Sequence, residues 1–259
     1  MDVTGMAAAA SSGSEWGFIA VVFMLAGLVK GVVGLGLPTI SMALLAVAMS
    51  PAQAAALLIL PAFFTNLCQA HPVATLGALL RRIGGMLIGV CVGTVAGAWV
   101  LGAPSGQWAT AALGAALAAY ALWGFFGKPL LVNPASEPWL GPIIGLLTGV
   151  VASATGVFGV PAVPYLQALG LERDRLIQAM GVFFTVSTVA LAVGLSINDS
   201  YSPGVAGASL LMLAPALFGM WFGTRLRRVL SPTVFRLWFM ISLAALGFYQ
   251  MIDAWLSAS

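Results

Sequence analysis

KGVVGLGLP, Lys30 to Pro38, breaks an apolar run that would otherwise read as one membrane-length helix: GFIAVVFMLAGLV precedes it and TISMALLAVAM follows. Proline has no N–H to donate and sits best in the first turn of a helix, so Pro38 predicts that a new helix opens there. Gly31, Gly34 and Gly36 let the backbone turn and let neighbouring helices approach closely. Backbone that leaves the helix at membrane depth survives only inside protein or against a water-filled cavity. The stretch therefore predicts a helix, a break held in the interior, and a short second helix.

The rest of the chain sets the solvent. Of 259 residues, 61% are hydrophobic and 7% charged, where a soluble domain carries about 25% charged residues. Such a chain cannot cover itself with polar groups, and its surroundings are lipid. Ten Lys and Arg against seven Asp and Glu give +3, too small an excess to indicate a nucleic-acid partner. In a membrane protein, that excess marks cytoplasmic loops. The opening MDVTGMAAAASSGSEWGF has no basic region, so the first apolar segment is expected to stay rather than be cleaved as a signal peptide. Cys68 and Cys91 both lie in apolar segments and read as packing residues, not as a disulfide or a metal site. No cofactor is expected.

A spanning helix needs about 20 apolar residues. Full-length spans are expected at 52–70, 77–101, 106–126, 175–196, 204–226 and 233–255. Two longer regions are interrupted: 17–49 at GLGLP, and 139–170 at TGVFGVP. The halves match in register. Trp16, Gly36 and Pro38 correspond to Trp139, Gly159 and Pro161 at one offset; FFT at 63–65 corresponds to FFT at 183–185; GVCVGT at 89–94 corresponds to GMWFGT at 219–224. The chain reads as one membrane domain, 1–259, with repeat 1 over 15–127, a linker over 128–137 and repeat 2 over 138–256. Internal repeats of this kind are a feature of many secondary transporters.

Arginine positions give the repeats their orientation. Arg81 and Arg82 lie at the start of 77–101, whereas Arg225, Arg227 and Arg228 lie at the end of the matching 204–226. If short basic loops face the cytoplasm, the same helix runs in opposite directions in the two halves. Lys128, the Glu172–Arg175 cluster and Arg236 fall on the same side of this scheme. Three full helices follow each broken region, so each broken region must enter and leave on one side as a hairpin, and both termini lie on the outer side. The expected fold is an all-α polytopic membrane protein: two inverted-topology repeats, each a broken helical hairpin followed by three transmembrane helices. The return arms are only about ten residues, roughly 15 Å as helix, so the hairpin tips are expected to meet near the midplane.

That arrangement suits an anion. Half-helix N-termini offer unpaired N–H groups and partial positive charge. Around the two breaks the candidates are Gly34, Gly36 and Pro38 in the first, and Ser153, Thr155, Gly156, Gly159 and Pro161 in the second. Lys30 lies about 21 Å along a helix from Trp16 and has no carboxylate near it in sequence. A buried lysine costs several kcal/mol without a partner, which an anionic substrate would supply; snorkelling to the far interface is the alternative. At the Trp16–Trp139 offset its counterpart is Ser153, so the charge occurs once. Thr65 and Thr185, with Asn66, Gln69 and Gln178 nearby, can replace the hydration of an oxyanion or simply bond between helices. His71, the single histidine, falls at a helix end and reads as a surface residue. Gly89, Gly93, Gly219 and Gly223 read as helix-packing positions. Glu15, Glu137, Glu172, Asp174, Asp199 and Asp253 all lie at segment ends or in loops, which removes the usual carboxylate relay of proton-coupled carriers.

AGLVKGVVGLGLPTISMALL, TGVVASATGVFGVPAVPYLQALGLERDRLIQAMGVFFT and IGVCVGTVAG resemble the Gly-rich motifs of the TauE/SafE family of bacterial anion exporters, and the resemblance covers nearly the whole chain. It implies a multi-pass protein of the bacterial inner membrane, both termini periplasmic by the arginine scheme, whose substrate is sulfite, a sulfonate or a related small organic acid. Lys30 stands where many members carry a neutral residue. The reading is a secondary transporter, an exporter working by alternating access, with a small anionic substrate, the lipid bilayer as its surroundings and a coupling ion left open. A non-transporting membrane assembly protein is the alternative. An intramembrane enzyme would need paired acids, HExxH or a Ser/His set, and none lies in the spans, so no catalytic residues are assigned.

Overall fold

Ser50 and Pro51 set the pattern for how these helices start. The Ser50 hydroxyl accepts from the Gln53 N–H, the Gln53 side chain accepts from the Ser50 N–H, and Pro51 occupies the first turn, where no donor is needed. Ser202 and Pro203 open a later helix in a similar way, the Ser202 hydroxyl accepting from the Val205 N–H without a reciprocal bond. The computed structural model describes residues 13–71, 75–127, 130–227 and 232–256. In order these form α1 (Gly13–Val33), α2 (Leu37–Leu45), α3 (Pro51–Gln69), α4 (Leu76–Leu101), α5 (Gly106–Phe126), α6 (Glu137–Thr155, after a 3-10 turn at Pro134–Ser136), α7 (Ala162–Ala168), α8 (Arg173–Ile197), α9 (Pro203–Leu226) and α10 (Pro232–Leu256). The six uninterrupted spans expected from hydropathy appear within a residue or two of their ends. Among the described residues, eight helices are long and apolar enough to cross a membrane. Strands are absent among the described residues.

The two interrupted regions become α1–α2 and α6–α7. Their first arms are not half-crossing: α1 has 21 residues and α6 has 19, about 30 Å each, and both qualify as full spans. Only the return arms α2 and α7 are short.

Contacts between helix ends define two faces. Arg82 of α4 pairs with Glu137 at the start of α6 at 2.7 Å. Gln178 of α8 donates to the Ala70 carbonyl just past α3 at 3.1 Å. The ends of α3 and α9 and the starts of α4, α6 and α8 thus share a face carrying Arg81, Arg82, Arg173, Arg175, Arg225 and Arg227, here called the arginine face. On the other face the Ala52 N–H donates to the Pro104 carbonyl at 2.8 Å, and the Asn198 amide donates to the Ala98 carbonyl at 2.9 Å. Lys128 and Arg228 lie outside the described residues, as does the Arg236 side chain. The outward surface is apolar, with Trp99, Phe126 and Leu131 all more than three-quarters exposed, as a lipid-facing wall requires. Both cysteines are free.

Packing is reciprocal. α1 packs on α9, and α6 packs on α4. At each interface glycines bring backbone against backbone. A Cβ on Gly27 or Gly31 would lie 2.1 or 2.3 Å from a carbonyl oxygen of α9; one on Gly145 or Gly149 would lie 2.1 or 2.5 Å from one of α4. Gly219 and Gly223, and Gly89 and Gly93, answer from the facing helices, as expected of packing positions. This register corrects one sequence correspondence. Gly27 and Gly31 match Gly145 and Gly149, so the packing counterpart of Lys30 is Thr148, not Ser153. The reason is that α6 runs one turn further past its second glycine before breaking than α1 does.

Pro61 interrupts the bonding of α3 and is repaired from outside. Lacking an N–H, it leaves the Leu57 carbonyl without its helical donor. The Ser209 hydroxyl of α9 donates to that carbonyl at 2.8 Å and accepts from the Leu60 N–H at 3.1 Å. Ser209→Ala is expected to destabilise the protein by about 1–3 kcal/mol, the cost of stranding a buried carbonyl, read as a lower unfolding temperature in detergent.

Candidate functional site

Lys30 is 2% exposed, so its amine is enclosed by protein and not extended to an interface. It projects from the last turn of α1 towards the last two turns of α3. Nζ donates to the Thr65 hydroxyl at 2.9 Å and to the Asn66 side-chain oxygen. The Thr65 hydroxyl in turn donates to the Pro61 carbonyl at 2.6 Å, which fixes its rotamer. The Asn66 amide donates to the Thr188 hydroxyl of α8 at 3.4 Å. Lys30, Thr65, Asn66 and Thr188 thus form one buried chain across α1, α3 and α8. Every partner of the lysine is neutral. Among the described residues the single ion pair is Arg82–Glu137, remote from it in the bonding network.

The first break lies beside this chain. α1 ends with the Gly34 N–H donating to the Lys30 carbonyl, and the Gly34 carbonyl accepts from the Gln69 amide at 2.7 Å. Gly36, at φ +115°, caps α2 in a conformation only glycine takes without strain, and Pro38 falls in the first turn, as its chemistry predicts. The second break is built differently. Gly156 ends α6 at φ +69° with Met42 and Ala55 packed on it, and Pro161 caps α7. The Thr155 hydroxyl donates to the Val151 carbonyl at 2.7 Å and accepts from the Val157 N–H at 3.2 Å. The Ser153 hydroxyl donates to the Val150 carbonyl and packs on Gly97 of α4.

Gly36 lies against the ring of Phe239 and Gly159 against that of Tyr120, and these two buried rings pair edge-to-face at 6.5 Å between centroids. One aromatic pair from α5 and α10 therefore contacts both breaks, while Met42 of α2 packs directly on Gly156 of the second.

Of the residues singled out in the sequence, Lys30, Gly34, Gly36, Pro38, Thr65, Asn66 and Gln69 are brought together. Ser153, Thr155, Gly156, Gly159 and Pro161 form the second break and make no hydrogen bond to that group. Gln178 instead ties the α3–α4 connection to α8, bonding Ala70 and Thr75. Thr185 bonds back to the Gly181 carbonyl of its own helix at 2.7 Å, so the FFT motifs do not place equivalent hydroxyls at the lysine. Thr188 was missed; the available signal was a buried hydroxyl three residues beyond Thr185 on an apolar helix.

Two hollows lie among these helices, one of them touching the chain at Thr188. A groove of about 640 Å³ between α3 and α8 is lined by Thr188 and by Phe63, Ser196 and Tyr201 towards the face opposite the arginines. A chamber of about 210 Å³ opens between Arg173 and Arg227 and reaches Leu35 and Tyr120. A comparison with curated proteins finds no match, and one with solved structures finds none. The chain does match the family described as Sulfite exporter TauE/SafE over residues 19–250, nearly its whole length, and with its apolar helices in place it belongs to that family of membrane transporters.

Proposed function

We propose that this chain exports a small anion, sulfite or a sulfonate or related organic acid, by alternating access between two inverted repeats, with Lys30 as the anion's positive partner. The observation that carries the proposal is a lysine enclosed by protein whose partners are all neutral. An ammonium so placed retains an uncompensated charge, and an arriving oxyanion supplies the counter-charge in a site of low dielectric. Reciprocal packing of α1 on α9 and α6 on α4 supports the inverted relation, and a groove at Thr188 together with a chamber at Leu35 by the arginine face supports access from two faces. The arginine face is the cytoplasmic one by the positive-inside rule, with both chain ends at the other face. An anion leaving such a cell moves down the electrical gradient, so export needs no carboxylate relay.

The test is flux of radiolabelled sulfite and taurine, with acetate as a simple carboxylate, from proteoliposomes holding the purified full chain. A thermal-shift titration with the same anions, sulfoacetate and sulfopropionate runs beside it. Transport of at least one anion with stabilisation by it is expected; a well-folded protein that moves none and is stabilised by none ends the proposal in favour of a non-transporting assembly role.

A further inference from the structure

We infer that the chamber between Arg173 and Arg227 is a second anion site, separate from Lys30, built for a small oxyanion that carries a short apolar tail. The inference rests on the transport reading and deepens it by naming the class of anion admitted from the arginine face.

The two guanidiniums come from different elements, the first turn of α8 and the cap of α9, yet line the same chamber. No carboxylate lies in its wall, and among the described residues neither arginine side chain makes an ion pair or hydrogen bond. The neighbouring arginines are otherwise engaged. Arg82 is committed to Glu137 and the Leu169 carbonyl, Arg225 lies 4.2 Å over the Trp221 ring, and Arg175 shares its crevice with Asp174. Two like charges turned into one hollow repel, and an oxyanion bound between them reverses the sign of that energy. Gln167 adds an amide at the same wall.

Away from the arginines the lining is apolar: Leu35 of the first break, Val163 in the first turn of α7, Trp123, Met180 and Met240. The volume of about 210 Å³ equals several waters at about 30 Å³ each, enough for a sulfonate or carboxylate head with a few carbons behind it. A bare inorganic oxyanion leaves the apolar end unfilled. The chamber is also placed to feed the tips, since it touches the first break through Val33 and Leu35 and the second hairpin through Val163. Lys30 faces the other way, towards α3. An anion thus meets two sites in turn: arginines at the mouth, then the lysine behind the first break.

The experiment titrates 1-propanesulfonate, methanesulfonate and sulfite into the purified full chain in a neutral detergent and follows the unfolding temperature. Wild type, Arg173→Gln/Arg227→Gln and Lys30→Gln are compared, with each single arginine variant should the double one fold poorly. Propanesulfonate is expected to stabilise wild type at lower concentration than methanesulfonate or sulfite. The double variant should need about 10-fold more or beyond, as expected from losing charge-assisted bonds, while Lys30→Gln keeps the response. Equal responses in wild type and the double variant, or no response of wild type to any sulfonate, overturn the chamber. A response lost in Lys30→Gln but kept in the double variant does so too, while leaving transport through Lys30 standing. Added phosphatidylglycerol is the last arm: if it abolishes the propanesulfonate response, the arginine pair serves lipid headgroups and the inference fails.

Discussion

Lys30→Gln should lower anion flux in proteoliposomes by about 10- to 100-fold, the loss that follows from removing one charged hydrogen bond of about 1.5–3 kcal/mol in the transition state for translocation. The same substitution should leave the unfolding temperature unchanged or raise it. Burying an ammonium among neutral groups costs several kcal/mol, and the bonds to Thr65 and Asn66 return only part of that. Thr65 keeps its bond to the Pro61 carbonyl without the lysine, and Asn66 keeps Thr188. A structural lysine gives the reverse signature: lower stability with flux retained. Lys30→Met, of similar shape and without a donor, separates charge from volume. Flux within twofold of wild type in both variants removes the lysine from the transport path.

The fold was legible because each of its elements rests on local chemistry. Pro38, Pro51 and Pro203 each sit in the first turn of a helix that hydropathy and the missing N–H predict together. Lys30 was legible as a charge with nothing polar beside it in an apolar segment, and Thr65 and Asn66 as an adjacent polar pair in another. What the sequence hides is rotation and register. Thr65 and Thr185 share a motif and both donate back along their own helices, but only the Thr65 hydroxyl also accepts from a lysine, because that lysine exists in one half only. The Trp–Gly–Pro offset pairs Lys30 with Ser153, whereas backbone contact at the glycines pairs it with Thr148. A motif aligned on the break cannot register an extra helical turn placed before it. The first arms span the full apolar thickness, where sequence suggested two half-crossing hairpins, because the break in each follows 19 or more helical residues. Arg173 and Arg227 read only as topology signals, since their convergence needs α8 and α9 to be brought together in space.

Gly31→Ala and Gly149→Ala should each destabilise the protein by about 1–3 kcal/mol, and the valine versions by more, up to loss of folded protein. The sign is the informative part, because in a helix interior alanine is favoured over glycine by about 1 kcal/mol. At these two positions the added Cβ meets backbone, not a movable side chain: the Met220 carbonyl oxygen at 2.3 Å and the Thr224 nitrogen at 2.7 Å for Gly31, and the Val90 carbonyl oxygen and Thr94 nitrogen at 2.5 Å for Gly149. The helices must separate, and the loss of close contact along the interface outweighs the propensity gain. Gly84 supplies the control, since a Cβ there meets nothing within 4 Å; Gly84→Ala should stabilise by roughly 0.5–1 kcal/mol. Thermal unfolding in one detergent compares all three. The two destabilised variants should also differ in function. Gly31 adjoins Lys30, so moving α1 off α9 shifts the amine against Thr65 and Asn66, and flux should fall beyond what reduced folding explains. Gly149 adjoins Thr148, which bonds only to the Ile144 carbonyl of its own helix, so its flux should track the amount of folded protein alone. Stabilisation by alanine at either packing glycine would mean that α1–α9 and α6–α4 are not in backbone contact, and the register that assigns Lys30 its counterpart would go with it.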